Sequence, residues 1–233
     1  MTTIAANLEA VRKRIHAACL AAGRDPEQVH LLAVSKTFGP EAVLQAHTAG
    51  QTAFGENYIQ EAVEKMAALA HLPLEWHCIG PIQSNKTRLV AQHFAWAHTV
   101  DRLKVAQRLS EQRPPDLPPL QVCIQVNVDG GANKSGVTPA EVQALAREVA
   151  ALPQLTLRGL MCIPEPAPDF AASQALFLRA KALFDQLRAQ GLALDTLSMG
   201  MTADLEAAIH AGSTLVRVGT AIFGGRSDGA TAG

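Results

Sequence analysis

The chain has 233 residues, 48% of them hydrophobic, so a sizeable core is available, and the length suits one large α/β domain as well as two smaller ones. Lys and Arg number 20 against 21 Asp and Glu, for a formal charge of −1. That leaves no basic excess to follow a phosphate backbone and excludes nucleic acid as the expected partner. No apolar run approaches the ~20 residues that cross a bilayer, and Glu9, Arg12, Lys13 and Arg14 interrupt any secretory leader. With Cys19, Cys78, Cys123 and Cys162 forming no CxxC pair, the expectation is a reduced, cytoplasmic protein without a membrane partner.

Ile4, Leu8, Val11, Ile15 and Cys19 recur at intervals of three and four and predict an opening helix. A strand follows at 29–36 (VHLLAVSK), then a helix near 40–49 ending at Gly50. Strands are predicted at 52–57, 75–80 and 95–100, interleaved with helices near 56–70, 84–92 and 101–112, the last starting at Asp101. RPPDLPP (113–119) reads as one short loop before the strand 120–128. Thr138-Pro139 starts a helix at 138–151, and a strand at 156–163 leads into a helix at 171–190 ending at Gly191. The strand 196–201, a helix at 203–211 ending at Gly212, and the strand 215–223 complete the series. The closing GGRSDGATAG is small and polar, which predicts one domain over 1–226 and a loose tail over 227–233.

Strand and helix alternating through short links mean a parallel sheet covered by helices. Eight such strands predict a single (β/α)₈ TIM barrel with an extra N-terminal helix, a fold of ~250 residues. The rival doubly wound sheet normally shows a Gly-rich phosphate turn after its first strand, where this chain has SKTFGP.

Barrel chemistry gathers at the C-terminal strand ends. Lys36 ends the first strand; taken alone it reads as a lysine reaching water. Glu56-Asn57-Tyr58, Gly80-Pro81 and Asn127 end others, and Ser198-Met199-Gly200-Met201-Thr202 and Arg217-Val218-Gly219-Thr220 end the seventh and eighth. Those last two are where barrels often hold phosphate with loop amides. Thr202 also reads as a plain N-cap, and Gly219 as tight packing at barrel closure; Asp204 and Glu206 oppose an anion unless they point outward. An amine and a phosphate cradle on one mouth suit a phosphorylated aldehyde, with Lys36 as imine partner. Pyridoxal 5′-phosphate (PLP) is the commonest such molecule. His77 reads as a hydrogen-bonded core histidine, and no histidine shows metal-ligand spacing, so no metal is expected. Lys86 and Lys134 read as solvated loop lysines, or as contacts for a second anion or partner. Met199 and Met201 read as wall and filler.

AVSKT, FGENY-Q, WH-IG-IQSNK, KSG, RGLM-IP, SMGM and VRVGTAIFG, in this order over roughly residues 3–226, resemble the YggS/PROSC pyridoxal phosphate homeostasis proteins. The resemblance implies the fold-type III PLP-binding barrel of alanine racemase without its second domain. It implies that Lys36 carries the Schiff base and Arg217 approaches the pyridine nitrogen. Thr202, Gly219 and Thr220 would hold the phosphate, with Gly200 and Met201 beside it and Asn57 near the ring. Thr202 replaces a frequent serine of the family, and Phe38 stands where many members are polar or basic.

Three functions compete: a PLP carrier without robust turnover, a fold-type III racemase or decarboxylase, and a Schiff-base aldolase. The aldolase is disfavoured because the sixth strand offers no lysine. Racemisation needs a base opposite the lysine, which the racemases take from a second domain; this chain has one tyrosine, Tyr58, and few residues beyond the barrel. An arginine at the pyridine nitrogen cannot accept a proton and opposes deep electron-sink chemistry. The expectation is a monomeric carrier with no catalytic residue, serving PLP-dependent apo-enzymes as recipients.

Overall fold

The computed structural model describes residues 2–131 and 135–225, so Lys134 and the tail expected over 227–233 lie outside the described residues. Eight strands close in sequence order into one barrel. They are β1 (His30–Val34), β2 (Ala53–Glu56), β3 (Glu75–Cys78), β4 (Trp96–Val100), β5 (Leu120–Gln125), β6 (Leu155–Met161), β7 (Thr196–Ser198) and β8 (Leu215–Val218). Every neighbouring pair is parallel, and β1 closes the ring by pairing Leu32 with Arg217 and Ala33 with Val218.

The helices are α1 (Ile4–Ala21), α2 (Pro40–Thr48), α3 (Ile59–Ala68), α4 (Thr87–His93), α5 (Leu103–Gln112), α6 (Val142–Ala150), α7 (Phe170–Ala189), α8 (Leu205–His210) and α9 (Thr220–Phe223). Helix α1 buries Leu8, Val11, Ile15, Ala18 and Cys19, the stripe expected from their spacing. Gly50, Gly191 and Gly212 follow α2, α7 and α8 with φ of 98°, 97° and 109°, the left-handed geometry that ends a helix without Cβ strain.

Alternation along each strand sorts side chains between two compartments. Ala33, Cys78, Ala97, Ile124, Leu160, Leu197, Val216 and Val218 face the helices and belong to the main core. Leu32, Val34, Ile79 and Leu215 form one separate cluster, and Trp96, Cys123 and Met161 another. All four cysteines are buried.

Several boundaries differ from expectation. β1 stops at Val34, so Lys36 sits in the following turn. β8 stops at Val218 rather than 223, because Gly219 packs against Val34 and its carbonyl accepts the N–H groups of Ile222 and Phe223, starting α9. β5 ends at Gln125 and continues only as a bridge from Val126 to Val137. Asp101 does not cap α5; its Oδ2 accepts the Gly136 N–H at 3.0 Å, tying two loops together. Thr138 precedes a single 3₁₀ turn, Pro139–Glu141, before α6.

Gly159 in β6 pairs with Thr196 in β7, and a Cβ at Gly159 would overlap the Thr196 carbonyl. Gly159→Ala should therefore force two strands apart and lower stability by about 3 kcal/mol. Gly225→Ala, with open space around it, should change stability by less than about 0.5 kcal/mol. Urea denaturation of both variants checks this, and equal midpoints would contradict it.

Candidate cofactor site

The turn after β1 is built by groups distant in sequence. The Ser35 N–H donates to the Gly55 carbonyl at 3.0 Å, and the Phe38 N–H returns to the Ser35 carbonyl at 3.1 Å. Between them Thr37 adopts φ 69°, unusual for a β-branched residue. Its N–H donates to Glu61 Oε1 at 3.1 Å. Lys65, 4% exposed, donates from Nζ to the Ser35 carbonyl at 3.0 Å and pairs with the buried Glu56 carboxylate. Burial raises Glu56 to about 7, against the opposing pull of the Lys65 ammonium. This buried pair clamps Ser35, the residue before Lys36, whose own side chain is left half-buried. The Phe38 ring stacks on Phe223 at 5.2 Å and fastens the same turn to α9.

Across the mouth, Gly200 turns with φ 102° and a Cβ there would lie 2.6 Å from the Ala208 Cβ. Its carbonyl accepts the Arg217 N–H at 2.9 Å. Asp204, not Thr202, occupies the N-cap of α8; Asp204 Oδ1 accepts the Met201 N–H at 2.7 Å. Glu206 is turned outward and held by Arg14, whose Nε and Nη2 donate to Oε1 and Oε2 at 2.9 and 3.0 Å. The expected clash between these acids and an anion is thus reduced to Asp204. Thr202 is freed from capping, and its hydroxyl lies 3.4 Å from that of Thr220.

Arg217 is buried, with Nη1 donating to Ser198 Oγ at 2.7 Å and Nη2 to the Cys162 carbonyl at 3.1 Å. Burial lowers its affinity for the proton, but a guanidinium keeps its charge in proteins. Among the described residues no carboxylate stands at ion-pair distance from it.

One cleft of about 790 Å³ at this mouth is lined by Lys36, Met201, Thr202, Arg217, Gly219 and Thr220, six of the eight residues expected at the site. The other two stand apart. Gly200 is spent on packing behind the β7 turn, and Asn57 is half-buried, with its backbone closing tightly on Gly80 and its Oδ1 buried without a hydrogen-bond partner. Lys86 lies outside this cleft, in the 3₁₀ turn Ser84–Lys86. His77 is a hydrogen-bonded core histidine, and among the described residues no cluster could hold a metal ion. Also among them, no helix is long and apolar enough to cross a membrane. The sequence reading missed the Glu56, Glu61 and Lys65 clamp. The available signal was the FGENY-Q stretch, which places an acid at a buried strand end with a lysine two turns into the next helix.

Residues 3–227 match the family described as alanine racemase, N-terminal domain. Over 232 residues the chain is 61% identical to the pyridoxal phosphate homeostasis protein of Pseudomonas aeruginosa, covering 100% of both. The chain belongs to the pyridoxal phosphate homeostasis protein family. The family's Escherichia coli K12 protein is 52% identical over 229 residues, covering 97% of this chain and 98% of that one. The solved structure of PipY from Synechococcus elongatus PCC7942, with PLP bound, superposes with a TM-score of 0.84 at 38% identity, covering 95% of this chain and all of that one. The barrel expected from sequence and the family expected from its motifs therefore both stand.

Replacing Lys65 removes one member of a buried ion pair, a change that typically costs 3–5 kcal/mol. Lys65→Met should lower stability by about 3 kcal/mol and make the Lys36 turn more open to proteolysis. Denaturation and limited proteolysis measure both; a variant as stable as the parent would contradict the clamp.

Proposed function

We propose that this chain binds PLP in the cleft between β1, β7 and β8, and that it carries and buffers the cofactor without robust turnover of its own. The observation that supports this most is the meeting of Lys36 and the buried Arg217 in one cleft of about 790 Å³. The P. aeruginosa relative, a pyridoxal phosphate homeostasis protein, and the PLP bound in PipY support the same reading.

The groups present fit the cofactor. Lys36 supplies an amine, and condensation of an amine with an aldehyde releases water and is reversible, which suits storage and release. Thr202 and Thr220 offer two facing hydroxyls to a phosphate, and Gly219 brings bare backbone beside them. Arg217 uses two of its five N–H groups on Ser198 and Cys162, and the others are available to a pyridine nitrogen. When bound, PLP would supply an electron-accepting ring; Arg217 would offer that nitrogen a donor that does not give up its proton, which would keep the ring a weak electron sink. Met201 and Phe38 line the cleft.

A racemase or decarboxylase would accept the same arginine. Against it stands the place of the single tyrosine: Tyr58 is 49% exposed and outside the cleft, so no phenol faces Lys36. We take PLP-dependent apo-enzymes as the recipients and the monomer as the working unit. Four buried cysteines without a CxxC pair suit a reducing cytoplasm.

Borohydride reduction of PLP-loaded protein followed by peptide mapping tests the assignment. The label should fall on Lys36, and Lys36→Ala should lose it while keeping its fold. Label on Lys86 or Lys134 instead would overturn the role given to Lys36.

A further inference from the structure

A column of hydrogen bonds threads the inside of the barrel from one mouth to the other. Arg217 Nη1 meets Ser198 Oγ at 2.7 Å, and Ser198 Oγ lies 2.7 Å from His98 Nδ1. His98 Nε2 lies 2.8 Å from His77 Nδ1, and His77 Nε2 2.7 Å from Glu75 Oε1. Arg217 lines the cleft described above, whereas Glu75 and His77 line a different cavity of about 750 Å³ among residues at the N-terminal ends of the strands. Between those ends Ser198, His98 and His77 are buried. Trp96 lies flat on His77, 5.1 Å away and inclined by 9°.

Proton bookkeeping gives this column a direction. A guanidinium only donates, so Ser198 Oγ accepts from Arg217 and its own O–H is left for His98 Nδ1. Burial lowers the pKa of both imidazoles, that of His98 well below the ordinary histidine value, and both rings are therefore neutral at pH 7. A neutral His98 that accepts at Nδ1 carries its proton on Nε2 and donates to His77 Nδ1. His77 in turn carries its proton on Nε2 and donates to Glu75. The opposite order would set a bare His77 nitrogen against a carboxylate and leave the serine proton without an acceptor. The remaining charged or titratable groups nearby are Arg158, which is paired with Asp195 and stacked over Trp96, His30 on the Glu75 side and Asp204 on the Arg217 side.

We propose that Ser198, His98, His77 and Glu75 act as one positioning unit for Arg217. They fix the plane of its guanidinium beneath the cleft, and through three aligned neutral groups they set a carboxylate against its charge from the far mouth. Each of the three neutral members turns a lone pair toward the arginine and a proton toward the glutamate, so their dipoles add along the column. This inference rests on the reading that Arg217 faces the ligand in the cleft. Its own test needs no ligand.

The test is NMR of the full chain, ¹⁵N-labelled at histidine and arginine, at pH 7. In the parent both rings should be neutral with the proton on Nε2, and the Arg217 Nη protons should exchange slowly. Ser198→Ala should accelerate that exchange about tenfold or more, as expected for loss of a charge-assisted bond, and Ser198→Thr should restore it. Glu75→Ala changes a side chain that is 49% exposed, so the fold should persist, and the same exchange should rise about fivefold, the equivalent of one ordinary hydrogen bond. A charged ring or an Nδ1–H ring in the parent would overturn the direction. Unchanged Arg217 exchange in folded Glu75→Ala would overturn the unit. PLP titration of the same samples separates the two claims: a parent that binds no PLP refutes the cofactor reading, while the ligand-free spectra still decide the column.

Discussion

The Arg217 guanidinium is buried at the end of β8 with no carboxylate beside it among the described residues, and the barrel interior is laid out around that charge. An isolated charge in a low-dielectric interior is expensive unless it is hydrogen-bonded and compensated. Here a serine hydroxyl and a backbone carbonyl take two of its protons. Leucine, valine and isoleucine on one side of the interior, with tryptophan, cysteine and methionine on the other, form two small clusters in place of one continuous plug. Ser198, His98 and His77 lie within the barrel on one hydrogen-bonded path to this cation.

Two lysines near the same mouth show how environment sets role. Lys65 is buried, bonded to the Ser35 carbonyl and paired with Glu56, so its ammonium is used up in holding a turn. Lys36 is half-buried on the cleft wall, and the turn that carries it is held from both sides by Glu61 and Lys65. A fixed backbone and an uncommitted amine are what reversible attachment of an aldehyde asks of a protein. The same separation appears across the cleft. Asp204 and Arg14 settle the loop before α8, which leaves the Thr202 hydroxyl to face Thr220.

The sequence made the barrel legible because strand and helix periods alternate cleanly and glycines mark the helix ends. The ends of strands were less legible. Val126 to Val128 and Gly219 to Phe223 look like strand in composition, and only the pairing partners available in three dimensions stop β5 at Gln125 and β8 at Val218. Motifs gathered six of the eight expected site residues into one cleft. Gly200 sits beside them for a packing reason that its neighbours in sequence do not reveal, and Asn57 stands to one side. The polar column escaped notice because its members come from β3, β4, β7 and β8, whose spacing along the chain carries no motif; the clamp did so because Lys65 lies beyond the FGENY-Q stretch that holds Glu56. Strand alternation does place His77, His98, Ser198 and Arg217 on the inner face, but only knowledge of the register makes them neighbours.

Reversible attachment of PLP without robust turnover is the centre of this account. The most direct measurement mixes PLP-loaded protein with an apo-enzyme that needs PLP, then follows the absorbance of the lysine-bound cofactor together with the recipient's activity. The account predicts that the absorbance falls as activity appears, one active recipient site for each cofactor released. Full retention of colour beside an inactive recipient, with D-alanine accumulating when L-alanine is added, would contradict it.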